Sequence, residues 1–182
     1  MFTFYKKHNN KLYNKLVELS RDKFFYKELN LADNFETRAM LIFFHLAIIL
    51  KCKKDDNNKK ILQNLFDNIF HNIEVNIREL GYGDTKVNIT MKTLSKIFYD
   101  IIVKLDSKEF TTFKKDSYLL SKYFHNKTDF NKEKTDKLAN YYDEFNNFCF
   151  DLDIDNVLKG LLNFKFRWIS NGCTKKENLK VT

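Results

Sequence analysis

Residues 77 to 87, IRELGYGDTKV, place two glycines two apart in a chain that has four glycines in all and no proline. Such a loop, with an acid beside it, can cradle a phosphate, ligate a metal or turn the backbone between two helices. A dinucleotide fingerprint needs a strand ahead of GxGxxG and a helix opening directly on it. Here the residues before Gly81 have helical period, and Lys86 holds the third glycine's place. The GK[ST] of a P-loop is absent. A metal reading starts from Asp67, His71, Glu74 and Arg78, which share one helical face, but a di-metal bundle needs carboxylates from several helices and a second ExxH pair. His45 lies in the most apolar segment, where a lone imidazole donates to a backbone carbonyl. Cys52, Cys149 and Cys173 are far apart, with no CxxC and no Cys/His spacing suited to zinc. No set of nucleophile, base and ligand converges, so the expectation is a protein that is not an enzyme and that uses no cofactor or metal.

These residues have to be positioned by helices. The apolar residues recur at helical spacing throughout, and no stretch alternates as a half-buried strand does. At 182 residues and 21.9 kDa the chain suits one domain with a single core. The expected fold is an all-α, single-domain bundle of six to seven helices spanning residues 1–182. A first helical stretch covers about residues 12–30, bent near Ser20 to Asp22. Asn34 caps a second, FETRAMLIFFHLAIILK, which is apolar on all sides and is expected at the centre of the bundle. CKKDDNNKK reads as a loop. A third helix, about 60–80, carries Leu62, Leu65, Phe66, Ile69, Phe70, Ile73, Ile77 and Leu80 as its inner stripe, and Gly81 ends it in the left-handed conformation. A fourth runs from about Asn88 to Leu105. Residues 110–124, 135–152 and 156–166 read as further helices, and Trp168 packs on the body ahead of a basic, flexible tail, 169–182.

The net charge of +8 is concentrated at the ends. Residues 1–30 carry seven Lys/Arg against three Asp/Glu, and residues 164–182 carry five against one. Basic termini on a near-neutral body suit an acidic partner: RNA on the ribosome, an anionic membrane surface or an acidic protein. The odd cysteine count fits a reducing compartment. The N-terminus has neither a signal-peptide core nor the acid-poor composition of a transit peptide, and the apolar run Ala39 to Leu50 is too short to span a bilayer. The expectation is a cytoplasmic protein, at most peripheral at the inner face of a membrane.

Three segments taken in order, FETRAMLIFFHLAIIL, LQNLFDNIFHNIEVNIRELGYGDTKV and MKTLSKIFYD, resemble the ubiquinol-cytochrome c chaperone family. Phe35, Glu36, Arg38 and His45 match that family's F-[DE]-x-R-x(6)-H helix. Phe66, Asp67, Phe70, Arg78, Glu79, Gly81, Gly83 and Asp84 match its second element, and Phe98 and Tyr99 its third. The resemblance covers roughly residues 10–125, leaving helices within 130–168 unmatched. His71 stands where the family usually has Asp, and Asp100 where Gly is common, which implies that the fourth helix runs on. The resemblance implies a non-enzymatic assembly factor for respiratory complex III. Mitochondrial relatives act with a small partner protein near the ribosomal tunnel exit and hold newly made cytochrome b; with no transit peptide, this chain looks like a bacterial member.

At 100° per residue, Asp67, His71, Glu74 and Arg78 fall within about 60° of one another, opposite the apolar stripe. With the family resemblance they become a candidate docking row, extended by Glu79, Tyr82 and Asp84 at the corner. Gly81 and Gly83 are expected to turn the chain, Asp84 to accept backbone N–H groups, and Tyr82 to sit at the tip. Phe35, Arg38, His45, Phe66, Phe70, Gly81, Gly83, Phe98 and Tyr99 are assigned structural roles. The competing reading is a basic helical module that binds the ribosome or RNA and has no cytochrome client, although no RNA-binding motif is present.

Overall fold

The computed structural model describes residues 11–124, 131–160 and 162–166. Trp168 and both basic ends, 1–10 and 167–182, lie outside them. Helices in chain order are α1 (Lys11–Ser20), α2 (Phe35–Cys52), α3 (Lys59–Glu79), α4 (Asp84–Leu105), α5 (Tyr118–Phe124), α6 (Lys132–Phe150) and α7 (Ile154–Leu158), with no strand among the described residues. The fold is all-α and forms one helical domain.

Every residue from Ala39 to Leu50 of α2 is buried. A helix apolar on all sides loses about 1.5–3 kcal/mol for each large side chain left in water, so it is stable only when enclosed. It packs against α1, α4 and α6, and Phe43 stacks on Phe70 of α3 at 5.4 Å. Its start is fixed as expected: the Asn34 side chain accepts the Thr37 N–H at 2.9 Å.

The first helical stretch is broken where a bend was expected. After Ser20 a turn leads into a π-helical turn, Phe24–Glu28, whose wide winding buries the adjacent rings of Phe24 and Phe25 together. Both lie against Tyr141 of α6, at 5.6 and 4.9 Å.

Four expectations need correction. Leu80 is 56% exposed and lies outside the inner stripe, because it caps the end of α3 one residue past the helix. α4 begins at Asp84, a turn earlier than Asn88, since Asp84, Thr85 and Lys86 are exposed and carry no apolar signal. The helix expected from Phe110 begins only at Tyr118. Before it, the Asp143 carboxylate of α6 accepts the backbone N–H groups of Phe113 (2.7 Å) and Lys114 (3.2 Å), holding a turn in place of helix. Likewise α7 stops at Leu158, well short of Phe166.

Gly160 is responsible for that stop. It sits at φ +69, and a Cβ there would stand 2.9 Å from the Lys11 carbonyl oxygen, so its bareness lets the end of α7 touch the start of α1. Beyond it, Phe164 and Phe166 both return to Tyr141, at 5.5 and 5.0 Å. Gly81 also has positive φ (+84) but open space around it. Alanine at Gly81 is therefore expected to cost only left-handed backbone strain, about 1–2 kcal/mol. Gly160→Ala adds a backbone collision and should lower the melting temperature further, as followed by circular dichroism; equal shifts would refute the close α1–α7 approach.

Candidate docking surface

The outward row of α3 is presented as its spacing dictates. Asp67, His71 and Arg78 are exposed and Glu74 is half-buried, while Leu65, Ile69, Phe70, Ile73 and Ile77 on the opposite side are buried. Asp67 accepts from Gln63 Nε2 at 2.9 Å. His71 has no hydrogen-bond partner among the described residues and is open to solvent.

Arg78 is already engaged. Its Nε and Nη2 donate to Glu74 Oε1 at 3.0 and 2.8 Å, and its Nη1 donates to Asp84, the first residue of α4. The fork thus clips the end of α3 to the start of α4 across the corner. Asp84 and then Glu74 hold the guanidinium above its ordinary pKa. Asp84 meets this side chain, whereas a backbone N–H had been expected. Of the two corner glycines only Gly81 needs its freedom, since Gly83 has φ −68, which any residue adopts. Tyr82 is 36% exposed, with Lys86 Nζ 4.0 Å from its ring centroid, and Glu79 is exposed beside it.

Beneath this surface lies the aromatic cluster that orients it. Phe66 and Phe70 of α3 are 4.3 Å apart, and Phe98 of α4 lies 5.4 Å from Phe66, 5.3 Å from Phe70 and 5.4 Å from Phe43 of α2. Tyr99, by contrast, is 54% exposed and lies 5.9 Å from Phe66. Between the two helices a groove of about 720 Å³ opens, with Leu62, Phe66, Tyr99 and Ile102 as its apolar wall and Lys54, Asp56 and Lys59 at its rim. Sequence reasoning did not find this groove. Its signal was the adjacent pair Phe98 and Tyr99, which cannot both face one core from one helix.

Asp100 does more than let α4 continue. It accepts from Lys122 Nζ at 2.7 Å and from the Tyr123 hydroxyl, pinning α5 to α4. Arg38 pairs with Asp33 at 2.6 Å beside the capped start of α2, where Phe35 is half-buried.

His45 is fully buried. Its Nδ1 lies 2.6 Å from the Leu41 carbonyl and its Nε2 lies 2.8 Å from the Tyr141 hydroxyl. A carbonyl only accepts, so Nδ1 carries the proton and Nε2 accepts from Tyr141. Both nitrogens are satisfied inside the core, which is the structural role expected. Among the described residues no group of three or more His, Cys, Asp or Glu stands close enough to hold a metal ion, and no helix is long and apolar enough to cross a membrane.

These features define the chain as an all-α bundle wound about one enclosed helix, with a charged row and a clipped corner displayed on its outside. Residues 27–163 match the sequence model of the family described as Ubiquinol-cytochrome C chaperone, and the chain belongs to that family. The matched span runs through α6 and α7, beyond residue 125. Its fold is similar to that in the crystal structure of the Cbp3 homolog from Brucella abortus, with a TM-score of 0.66 and 20% sequence identity over 86% of this chain and 87% of that one. At that identity the likeness is one of fold. No curated protein sequence matches the chain.

Burial pushes the His45 pKa down to about 4 from an ordinary 6.5. Above pH 6.5 both folded and unfolded chains hold it neutral, and stability is unaffected. As pH falls from 6.5 towards 4 only the unfolded chain takes the proton, so stability is expected to fall by about 3 kcal/mol across that window. Urea unfolding at a series of pH values should show this slope in the native chain and a flatter one in His45→Gln.

Proposed function

We propose that the chain is a non-enzymatic assembly factor for ubiquinol-cytochrome c reductase, respiratory complex III, that binds newly made cytochrome b, a small partner protein, or both. Membership of the chaperone family carries this reading. The outward row Asp67, His71, Glu74 and Arg78, continued by Glu79, Tyr82 and Asp84, is the docking surface in this account. Arg78 acts by fixing the corner's shape as well as by offering donors, since its planar fork spans two carboxylates at once. The groove beside Tyr99 accepts an apolar side chain of the client, and the lysines and carboxylates of its rim hold polar flanks. The protein works in the cytoplasm, peripheral to the inner face of the membrane, with the basic ends available to the ribosome.

The test is a deletion strain complemented with single variants at equal expression. Arg78→Ala is expected to leave the melting temperature and protein level nearly unchanged, because exposed ion pairs contribute little to stability. Assembled complex III should nevertheless fall several-fold, with partial recovery in Arg78→Lys. Lys180→Ala should leave complex III intact. Unaltered complex III in both variants, with weakened ribosome sedimentation in both, would favour the basic ribosome- or RNA-binding module and overturn the chaperone reading.

A further inference from the structure

The side of α4 turned away from the core carries Ile89, Lys92, Lys96, Tyr99 and Val103. Their spacing of three and four residues keeps all five within about 80° of one another, opposite the buried Val87, Leu94, Phe98, Ile101 and Leu105. The apolar members are open to water: Ile89 is 63%, Tyr99 54% and Val103 67% exposed. Lys92 and Lys96 are exposed and have no carboxylate partner among the described residues. Asp100, an acid at the edge of the face, is held by Lys122 and Tyr123. The row therefore presents two uncompensated positive charges flanked on both sides by apolar tips along a helix of 22 residues.

A row of this composition discriminates between kinds of partner. The centre of a protein–protein interface is depleted of lysine, whose strongly hydrated ammonium resists burial, and a helix seam keeps its charges at the flanks. Here the lysines stand in the middle of the row. The interfacial layer of a bilayer accommodates that order. A lysine stem lies along apolar surface while its ammonium reaches phosphate, a tyrosine ring rests at headgroup level, and short aliphatic tips enter the acyl boundary. Anionic headgroups supply the missing countercharge.

We propose that the outward face of α4 docks the protein flat on an anionic lipid bilayer. The site is distinct from the basic termini and from the α3 row, and it does not depend on the client. Orientation follows from it: with α4 on the membrane, the groove that shares Tyr99 opens beside the lipid surface.

Co-sedimentation of the full chain with vesicles tests this, using phosphatidylcholine alone or phosphatidylcholine with phosphatidylglycerol. The native protein should bind the anionic vesicles and not the neutral ones. Lys92→Ala with Lys96→Ala should weaken binding roughly thirtyfold, the sum of two surface lysines. Ile89→Ser with Val103→Ser should weaken it at constant net charge. Lys175→Ala with Lys176→Ala, in the tail, should bind nearly as the native chain does. All four side chains changed on α4 are exposed, and unchanged circular dichroism melting confirms folding. Failure of the native chain to bind anionic vesicles, native-like binding by the α4 variants, or equal loss in the tail variant would each overturn the proposal. Loss of complex III in Arg78→Ala with vesicle binding retained leaves it standing, so the two readings fail separately.

Discussion

A helix with no polar side is the constraint on which this structure rests. From Ala39 to Leu50 every side chain of α2 is removed from water, and no single neighbour can achieve that. α1, α4 and α6 pack on it directly, and α3 reaches it through Phe70 on Phe43. The single polar side chain in that run, His45, would be costly if unpaired. Its two nitrogens find the Leu41 carbonyl and the Tyr141 hydroxyl, which also fixes the register of α6 against α2.

Enclosing α2 uses only one face of α3 and of α4, and leaves their other faces free to differ from each other. α3 displays a row of mixed charge locked at its end by Arg78. α4 displays lysines and apolar tips. The aromatic cluster of Phe43, Phe66, Phe70 and Phe98 sets the angle between the two, so both surfaces and the groove between them are held by one piece of core. Function in this account is what remains on the outside once the central helix has been covered.

The sequence made α3 and α4 legible because their periodicity is strong, and α2 because it is an unbroken apolar run, and local signals agree: Asn34 as cap, Gly81 as stop, the Ile69 to Ile77 stripe as inner face. The outward placement of Asp67, His71, Glu74 and Arg78 followed from helix geometry, and their reading as a docking row came from the family resemblance. What stayed hidden was decided by contacts distant in sequence. The turn ahead of α5 exists because Asp143, some thirty residues on, accepts the Phe113 and Lys114 N–H groups. The end of α7 depends on how closely Gly160 meets Lys11. Arg78 is expected to face a partner, yet Asp84 of its own chain also takes one of its donors, since the fourth helix starts early enough to bring that carboxylate within reach. The groove was invisible because Tyr99 reads as one more aromatic in an apolar helix until its neighbour Phe98 is seen to take the inward place.

If the outward face of α3 receives a complex III client or partner, His71 is the residue to interrogate, being exposed and free of hydrogen bonds among the described residues. A photo-crosslinking amino acid placed at His71, irradiated in the source cells, tests it directly. Docking on this face should give adducts with newly made cytochrome b or with a small partner protein. Adducts absent from position 71, while the same probe at Lys6 or Lys180 captures ribosomal proteins, would contradict it.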